Sequence, residues 1–448
     1  MAIHPIDYRY GSKEMRQIFE EEARLQRWLD VESALARANA AVGRISNLDA
    51  EEITDKASIN YVKVDRVKEI EADIKHDLMA MVEALSEVCG KSGRGVHLGA
   101  TSYDIIDTSN ALQFKSALKI IKKDLFDIEG ILLGLAKKHK SLVAIGRTHG
   151  QHATPITYGL KFAIWSREIR RHIKRLIESE RRVLVGKMSG AVGTQAAFGV
   201  YGIKIQDLVM RDLGLKAAMV SSQVVQRDRY AELLMGLALI SASCDKIGKE
   251  IRNLMRTEIA EVSEVFGKEQ VGSSTMPQKR NPIDSEKVCG LSRVVKSNVF
   301  IGLENVSLEH ERDLTNSSSE RVVLPETFIL LDEILKTLKN VLNNLVIHPK
   351  KIKENLELSK GLNMAEAVMV ALSLSGMPRQ EAHALIRKLS AEASLNKTNL
   401  LEILRHSKEV SNFLDKESLN EIVSPEDYIG TAVKQVEKVL MFAKNDRK

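Results

Sequence analysis

Residues 112–139 read LQFKSALKIIKKDLFDIEGILLGLAKKH, in which Leu118, Ile121, Leu125, Ile128, Leu132 and Leu135 recur every three or four positions without a proline. That spacing lays them on one face of an α-helix. The stretch holds 28 residues, and at about 1.5 Å per residue it predicts a rod of roughly 42 Å. Further runs of this kind are expected over 155–185, 228–265, 283–309 and 325–346, with others over 24–42 and 62–88. Leu25, Trp28, Leu29, Leu35 and Ala38 form the stripe of the first, and Gly43 supplies its stop. Strict heptads do not persist, and the apolar face is wider than a two-position seam. The pattern therefore predicts a bundle of long antiparallel helices rather than a coiled coil.

No array of alternating strands is legible. The main interruption, VLVGKMSGAVGTQAAFG at 183–199, is glycine-rich and suits a short hairpin. A glycine-containing loop before Ser102 and a Pro/Lys-rich break at 347–353 mark candidate boundaries. They predict an N-terminal helical domain (1–101), a central long-helix domain (102–352) and a small C-terminal helical domain (353–448). In the last of these, Asn399 with Glu402 and Ser424-Pro425-Glu426 read as helix starts.

Composition agrees with an all-α protein: 448 residues carry only 8 prolines, and 4% are aromatic. No stretch reads as a signal peptide or membrane span, so a cytoplasmic location is expected. Cys89, Cys244 and Cys289 stand apart and read as reduced core thiols. The net charge of +6 suits an anionic small molecule as well as a nucleic acid. The basic run 167–182 has interleaved glutamates and no aromatics, which fits a solvated helix face better than an RNA site. His4, His139, His172, His348, His383 and His406 sit in charged or terminal contexts and are expected at the surface.

Chemistry concentrates in the loop GSSTMPQKRNP at 272–282, between two predicted helices. Three hydroxyls (Ser273, Ser274, Thr275), two cations (Lys279, Arg280) and the amide of Asn281 are the groups needed to hold a carboxylate and stabilise charge developing on it. A solvated connecting loop is the plain alternative. The spacing fits neither a nucleophile elbow, nor a Ser-x-x-Lys pair, nor a phosphate-binding P-loop.

This loop resembles the signature of the fumarase/aspartase superfamily. Three more blocks resemble the adenylosuccinate lyases within it: HLGATSYD at 97–104, GRTHGQHA at 146–153 and HERDLTNSSSERVVLP at 310–325. QVVQRDR at 223–229 and Arg9-Tyr10 also match, with a weaker echo at 376–383 and 427–430. The resemblance implies three helical domains whose long helices build the twenty-helix core of a homotetramer, with active sites shared between subunits. It implies elimination of fumarate from adenylosuccinate and from SAICAR, a small-molecule nucleotide substrate, and no metal or organic cofactor. By the same carry-over Ser273 is the general base, Lys279 supplies the charge that makes its hydroxyl acidic, and His149 is the general acid, oriented by Glu286. Thr101, Ser102, Lys279, Asn281 and Gln223 would bind the succinyl carboxylates, with Ser274 and Arg280 beside them in the loop. Arg9, Tyr10, Arg312, Ser317 and Arg321 would hold phosphate and ribose. Lys75, His76, Asp77 and His97 match further substrate-contacting positions, His97 having a loop-packing alternative. Gln278 and Tyr230 depart from the family pattern, each standing where histidine is common. The competing readings are another superfamily lyase, a carboxymuconate cycloisomerase, or a catalytically silent relative of the crystallin kind.

Overall fold

The computed structural model describes residues 4–267 and 275–445. Helix dominates, and the long runs are present as Ser102–Lys138, Tyr158–Val183, Asp228–Leu254, Ile283–Glu304 and Thr315–Asn343. Leu118, Ile121, Leu125, Ile128 and Leu132 are each fully buried, as their common face requires. Pro325 lies inside the last of these helices rather than at its start. The Glu21–Ala41 helix stops where expected. Gly43 takes φ +77°, and its N–H reaches the carbonyl of Ala40.

The described chain forms two compact units, each assembled from three separate stretches: Met1–Phe126, Arg171–Lys246 and Lys287–Leu338 in one, Asp127–Arg170, Ile247–Glu286 and Lys339–Lys448 in the other. In the first, Leu29, Val31, Leu35, Ile53, Leu78, Leu85, Met188 and Ile205 belong to one apolar core. In the second, Val368, Leu372, Ala382, Leu400 and Val410 build a core drawn from one contiguous stretch of chain.

Several expectations fail for identifiable reasons. The run 62–88 is two helices, Val64–Ile74 and Asp77–Cys89, because Lys75 turns left-handed (φ +57°) and His76 is extended. The hairpin lies at β1 (Val143–Thr148) and β2 (Gln151–Thr157), not at 183–199. There β3 (Val185–Gly186) instead pairs in parallel with β4 (Lys216–Ala217). A third two-stranded pair joins β5 (Val262–Ser263) to β6 (Val346–Ile347), so the helix predicted over 228–265 ends at Leu254. Ser424 closes a turn onto Asp427, and the last helix begins only at Ala432. His172 is buried, with Nε2 at 2.8 Å from the Ser243 hydroxyl. Nor is the basic run wholly solvated, since Arg170 is buried against Glu129 with Nε–Oε1 at 2.7 Å. Cys89, Cys244 and Cys289 are all buried, and none of the three is in a disulfide. Among the described residues no helix is long and apolar enough to cross a membrane.

Candidate active site

In the first unit, the break between two helices presents Lys75, His76 and Asp77 together. Lys75 closes one helix, and His76 caps the next by accepting the N–H of Met79 at Nδ1 (3.3 Å). A ring that accepts at Nδ1 carries its proton on Nε2 when neutral. Asp77 sits in the first turn, where the backbone dipole favours a carboxylate, and accepts Arg321 Nη2 at 2.6 Å. Two positions 244 residues apart thus meet. Ser317 and Arg321 lie four apart on the Thr315–Asn343 helix and so share a face. Both line a cavity of about 130 Å³ with Arg24, Trp28 and Tyr103 among its other walls.

Thr101 and Ser102 stand where the Ser102–Lys138 helix begins. Asp104, fully buried, accepts the N–H of Thr101 (2.9 Å), the N–H groups of Ser189 (2.8 Å) and Gly190 (3.0 Å), and the Lys187 ammonium (2.5 Å). One carboxylate therefore ties the Thr101 turn to the glycine-rich segment. Gln223 continues the chain of contacts, donating to the carbonyl of Ala191 and accepting Arg312 Nη1, both at 2.8 Å. The Arg312 guanidinium lies 3.7 Å from the centroid of the Tyr103 ring, and among the described residues its buried Nε has no hydrogen-bond partner. An orphaned donor on a cation is costly unless something anionic completes it.

Beneath these groups Arg227 is fully buried between Asp107 and Glu320, with Nη2–Oδ1 at 2.9 Å and Nε–Oε1 at 2.7 Å. Tyr230, one of the two departures, packs over that guanidinium and leaves its hydroxyl 3.4 Å from Asp107. His97 is tied to its own surroundings, with Nδ1 2.6 Å from the buried Glu32 carboxylate, which also accepts the His97 N–H. Burial works against charge on this ring, but Glu32 overrides it and holds the pKa above its ordinary value. At the N-terminus Arg9 is exposed beside the Tyr10 ring. The following N–H groups of Gly11 and Ser12 dock on Glu333 and Asp332. Gly11 has φ +79°, and a Cβ there would come within 2.4 Å of Ile329 Cγ2, so only glycine permits this docking.

In the second unit His149 occupies the tip of the β1–β2 hairpin. Thr148 pairs with Gln151, leaving His149 (φ +52°) and Gly150 (φ +74°) as a two-residue turn of the type that needs both angles positive. The imidazole is exposed. Two residues back, Arg147 donates to Glu261 at 2.6 Å, and the same buried carboxylate accepts Tyr158 (2.7 Å) and Asn355 (2.9 Å). Burial pushes its pKa up, but these donors outweigh that and hold it below the usual range. Glu264 then accepts the N–H groups of Asp284 (3.3 Å) and Ser285 (2.9 Å), joining the two stems of the signature loop.

Lys279 and Arg280 are exposed, Arg280 near the Phe266 ring, and Gln278 is exposed beside them. Asn281 is half-buried, and Glu286 is exposed on the first turn of the Ile283–Glu304 helix. Ser273 and Ser274 lie outside the described residues. Among the described residues neither the His149 imidazole nor the Glu286 carboxylate has a hydrogen-bond partner.

Sequence reasoning passed over Arg24, Lys187, Glu261 and Glu264. Only Arg24 carried a signal, its position one helical turn from Trp28. The two glutamates were hidden inside a run read as helix.

A family model described as Lyase matches residues 8–296, and one described as Adenylosuccinate lyase C-terminus matches 361–439. The chain is 58% identical over 442 residues to the Adenylosuccinate lyase of Pyrococcus horikoshii, covering 99% of this chain and 98% of that one. It is 51% identical over 442 residues to the protein of that name from Methanothermobacter thermautotrophicus, covering 98% of each. Among solved structures it is similar to the 3-carboxy-cis,cis-muconate lactonizing enzyme from Pseudomonas putida, at TM-score 0.90 and 31% identity over 99% of both chains. Identity is thus far higher to the lyases than to the cycloisomerase.

Proposed function

The chain belongs to the adenylosuccinate lyase family of the fumarase/aspartase superfamily, and from that premise we propose that it eliminates fumarate from both adenylosuccinate and SAICAR, giving AMP and AICAR. The supporting observation is the cavity flanked by Ser317 and Arg321, a hydroxyl and a guanidinium on one helix face, which offers a phosphate several donors at once. Arg312, whose Nε has no partner among the described residues, and Arg9-Tyr10 complete the phosphate and ribose contacts. His76 and Lys75 border the nucleotide beside Asp77. We assign His97 a supporting place at the edge of this site.

The reaction breaks a C–N bond after loss of a proton from carbon next to a carboxylate. Ser273 Oγ takes that proton as the alkoxide, its own proton having passed to water beforehand, and Lys279 stabilises that alkoxide. Thr101, Ser102, Gln223, Asn281, Ser274 and Arg280 hold the succinyl carboxylates while negative charge spreads onto one of them. The electron pair then forms the new C=C bond and expels the nitrogen, which His149 protonates. Glu286 orients the imidazole.

Among the described residues of one chain His149 and Glu286 stand unpaired, which supports active sites completed by other subunits of a homotetramer. Exposed apolar residues on the Asp228–Leu254 and Ile283–Glu304 helices, Leu239 (51%), Phe300 (68%) and Leu303 (47%), support burial of those faces in such a core. The division at 101/102 and 352/353 and a cytoplasmic location belong to the same proposal. The test is a spectrophotometric assay of purified protein with adenylosuccinate, SAICAR, argininosuccinate and 3-carboxymuconate in parallel. Turnover of the first two alone is expected. Turnover of the muconate without them would overturn the reading.

A further inference from the structure

Arg24 lies on the first turn of the Glu21–Ala41 helix, outside every motif quoted above. Its guanidinium stands 5.3 Å from the centroid of the Trp28 ring, one turn further along, and it lines the same cavity as Ser317 and Arg321. Arg321 has a partner in Asp77, at 2.6 Å. Arg24 has none: among the described residues its side chain donates no hydrogen bond and has no carboxylate oxygen within 4.0 Å. A half-buried guanidinium left unpaired, next to a second guanidinium, is a costly arrangement for a folded chain to keep unless an anion enters between them.

We infer that Arg24 is a further phosphate-binding residue, donating with Arg321 and Ser317 to the oxygens of the substrate's phosphate. The inference rests on the phosphate placement proposed above and extends it to a residue that the family blocks do not include. Burial, and then the charge of Arg321, hold the Arg24 pKa below its ordinary value, while Asp77, Glu21 and Glu71 work in the opposite sense. Arg24 and Arg321 both face the cavity, and the carboxylate that lines it with them, Glu320, is already bound to the buried Arg227. A phosphate dianion suits the cavity better than a carboxylate, because it can accept from two planar forks and a hydroxyl simultaneously. Trp28 and Tyr103, which line the same cavity, supply walls that exclude water from those contacts.

The alternative is a purely structural cation, held by the field of Asp77, Glu21 and Glu71 with no ligand contact. Inhibition constants for AMP and adenosine separate the two, since they differ only in the phosphate. They are measured on the intact enzyme as wild type, Arg24→Gln, Arg24→Lys and Arg321→Ala, with thermal midpoints recorded alongside. Arg24→Gln should weaken AMP by about tenfold or more while leaving adenosine within about twofold, and Arg24→Lys should fall between. Inhibition by fumarate should not change. An unchanged AMP-to-adenosine ratio in Arg24→Gln, or equal weakening of both, overturns the inference, as does a loss confined to fumarate. Should Arg24→Gln fail to fold, the same ratio in Arg24→Lys decides. Arg321→Ala identifies which statement has failed. If it raises the AMP-to-adenosine ratio of inhibition constants and the Arg24 variants do not, Arg24 alone is misassigned; if none raises it, the phosphate does not sit in this cavity.

Discussion

On the proposed assignment, Arg321 meets an anion that stays bound throughout bond cleavage, whereas Ser273 and His149 act only as protons move. Arg321→Ala should therefore raise KM with a smaller change in kcat. Ser273→Ala and His149→Ala should each lose roughly a hundred- to ten-thousand-fold in kcat while still binding substrate. Steady-state kinetics on the three variants check the division. Near-normal turnover by Ser273→Ala would move the base to Ser274 or a histidine. The His97–Glu32 pair carries a pH signature of its own. Its folded pKa is raised, so its contribution to stability is complete below the unfolded value of about 6.5 and is lost as pH rises through the folded value. Denaturation midpoints of wild type should fall across that window relative to His97→Gln. Parallel curves would show that the pair does not titrate there.

At the scale of elements, what periodicity could reveal and what it could not are both physically accountable. The long helices were legible because a buried stripe forces apolar residues into a three-and-four rhythm, as in Leu118 through Leu132. The β1–β2 hairpin was not. Gly146 and Pro155 sit inside its strands, where both residues ordinarily argue against a strand, and its register shifts between Ile145 and Arg147. The structure explains the glycine: a Cβ at 146 would meet the Thr154 carbonyl oxygen at 2.5 Å. The residues proposed as catalytic stand out in their sequence blocks, but the carboxylates that set their backbone, Glu261 and Glu264, belong to no periodic pattern. Glu261 anchors the hairpin through Arg147, and removing one partner of a buried ion pair costs about 3 kcal/mol. Glu261→Gln should lower stability by that order and reduce kcat by misplacing His149. Because the Glu261 pKa is depressed, its contribution is present above about pH 4.3 and disappears as pH falls through the folded value. The variant's acid-unfolding limb should accordingly be flatter than that of wild type, and an identical limb would count against the anchor.

For the whole molecule, the proposed sharing of active sites makes a mixing experiment decisive. Ser273→Ala and His149→Ala proteins, each inactive, should recover activity after subunit exchange, and proven exchange without recovery would place each site within a single chain. Stability should respond most to the first unit's core: Leu35→Ala, at a fully buried position, should cost about 2–5 kcal/mol in a denaturant titration. The interleaving of the two units has a further consequence, for biogenesis. The first unit needs chain from its opening segment through Leu338 and the second needs chain through Lys448, so neither is complete until most of the polypeptide has left the ribosome. At about 5–20 residues per second, 338 residues take roughly 20–70 s to emerge. During that interval the stripes of the early helices stay uncovered and open to chaperones. The core around Val368, Leu400 and Val410 is the exception, since one continuous stretch supplies it and it can collapse as soon as that stretch emerges.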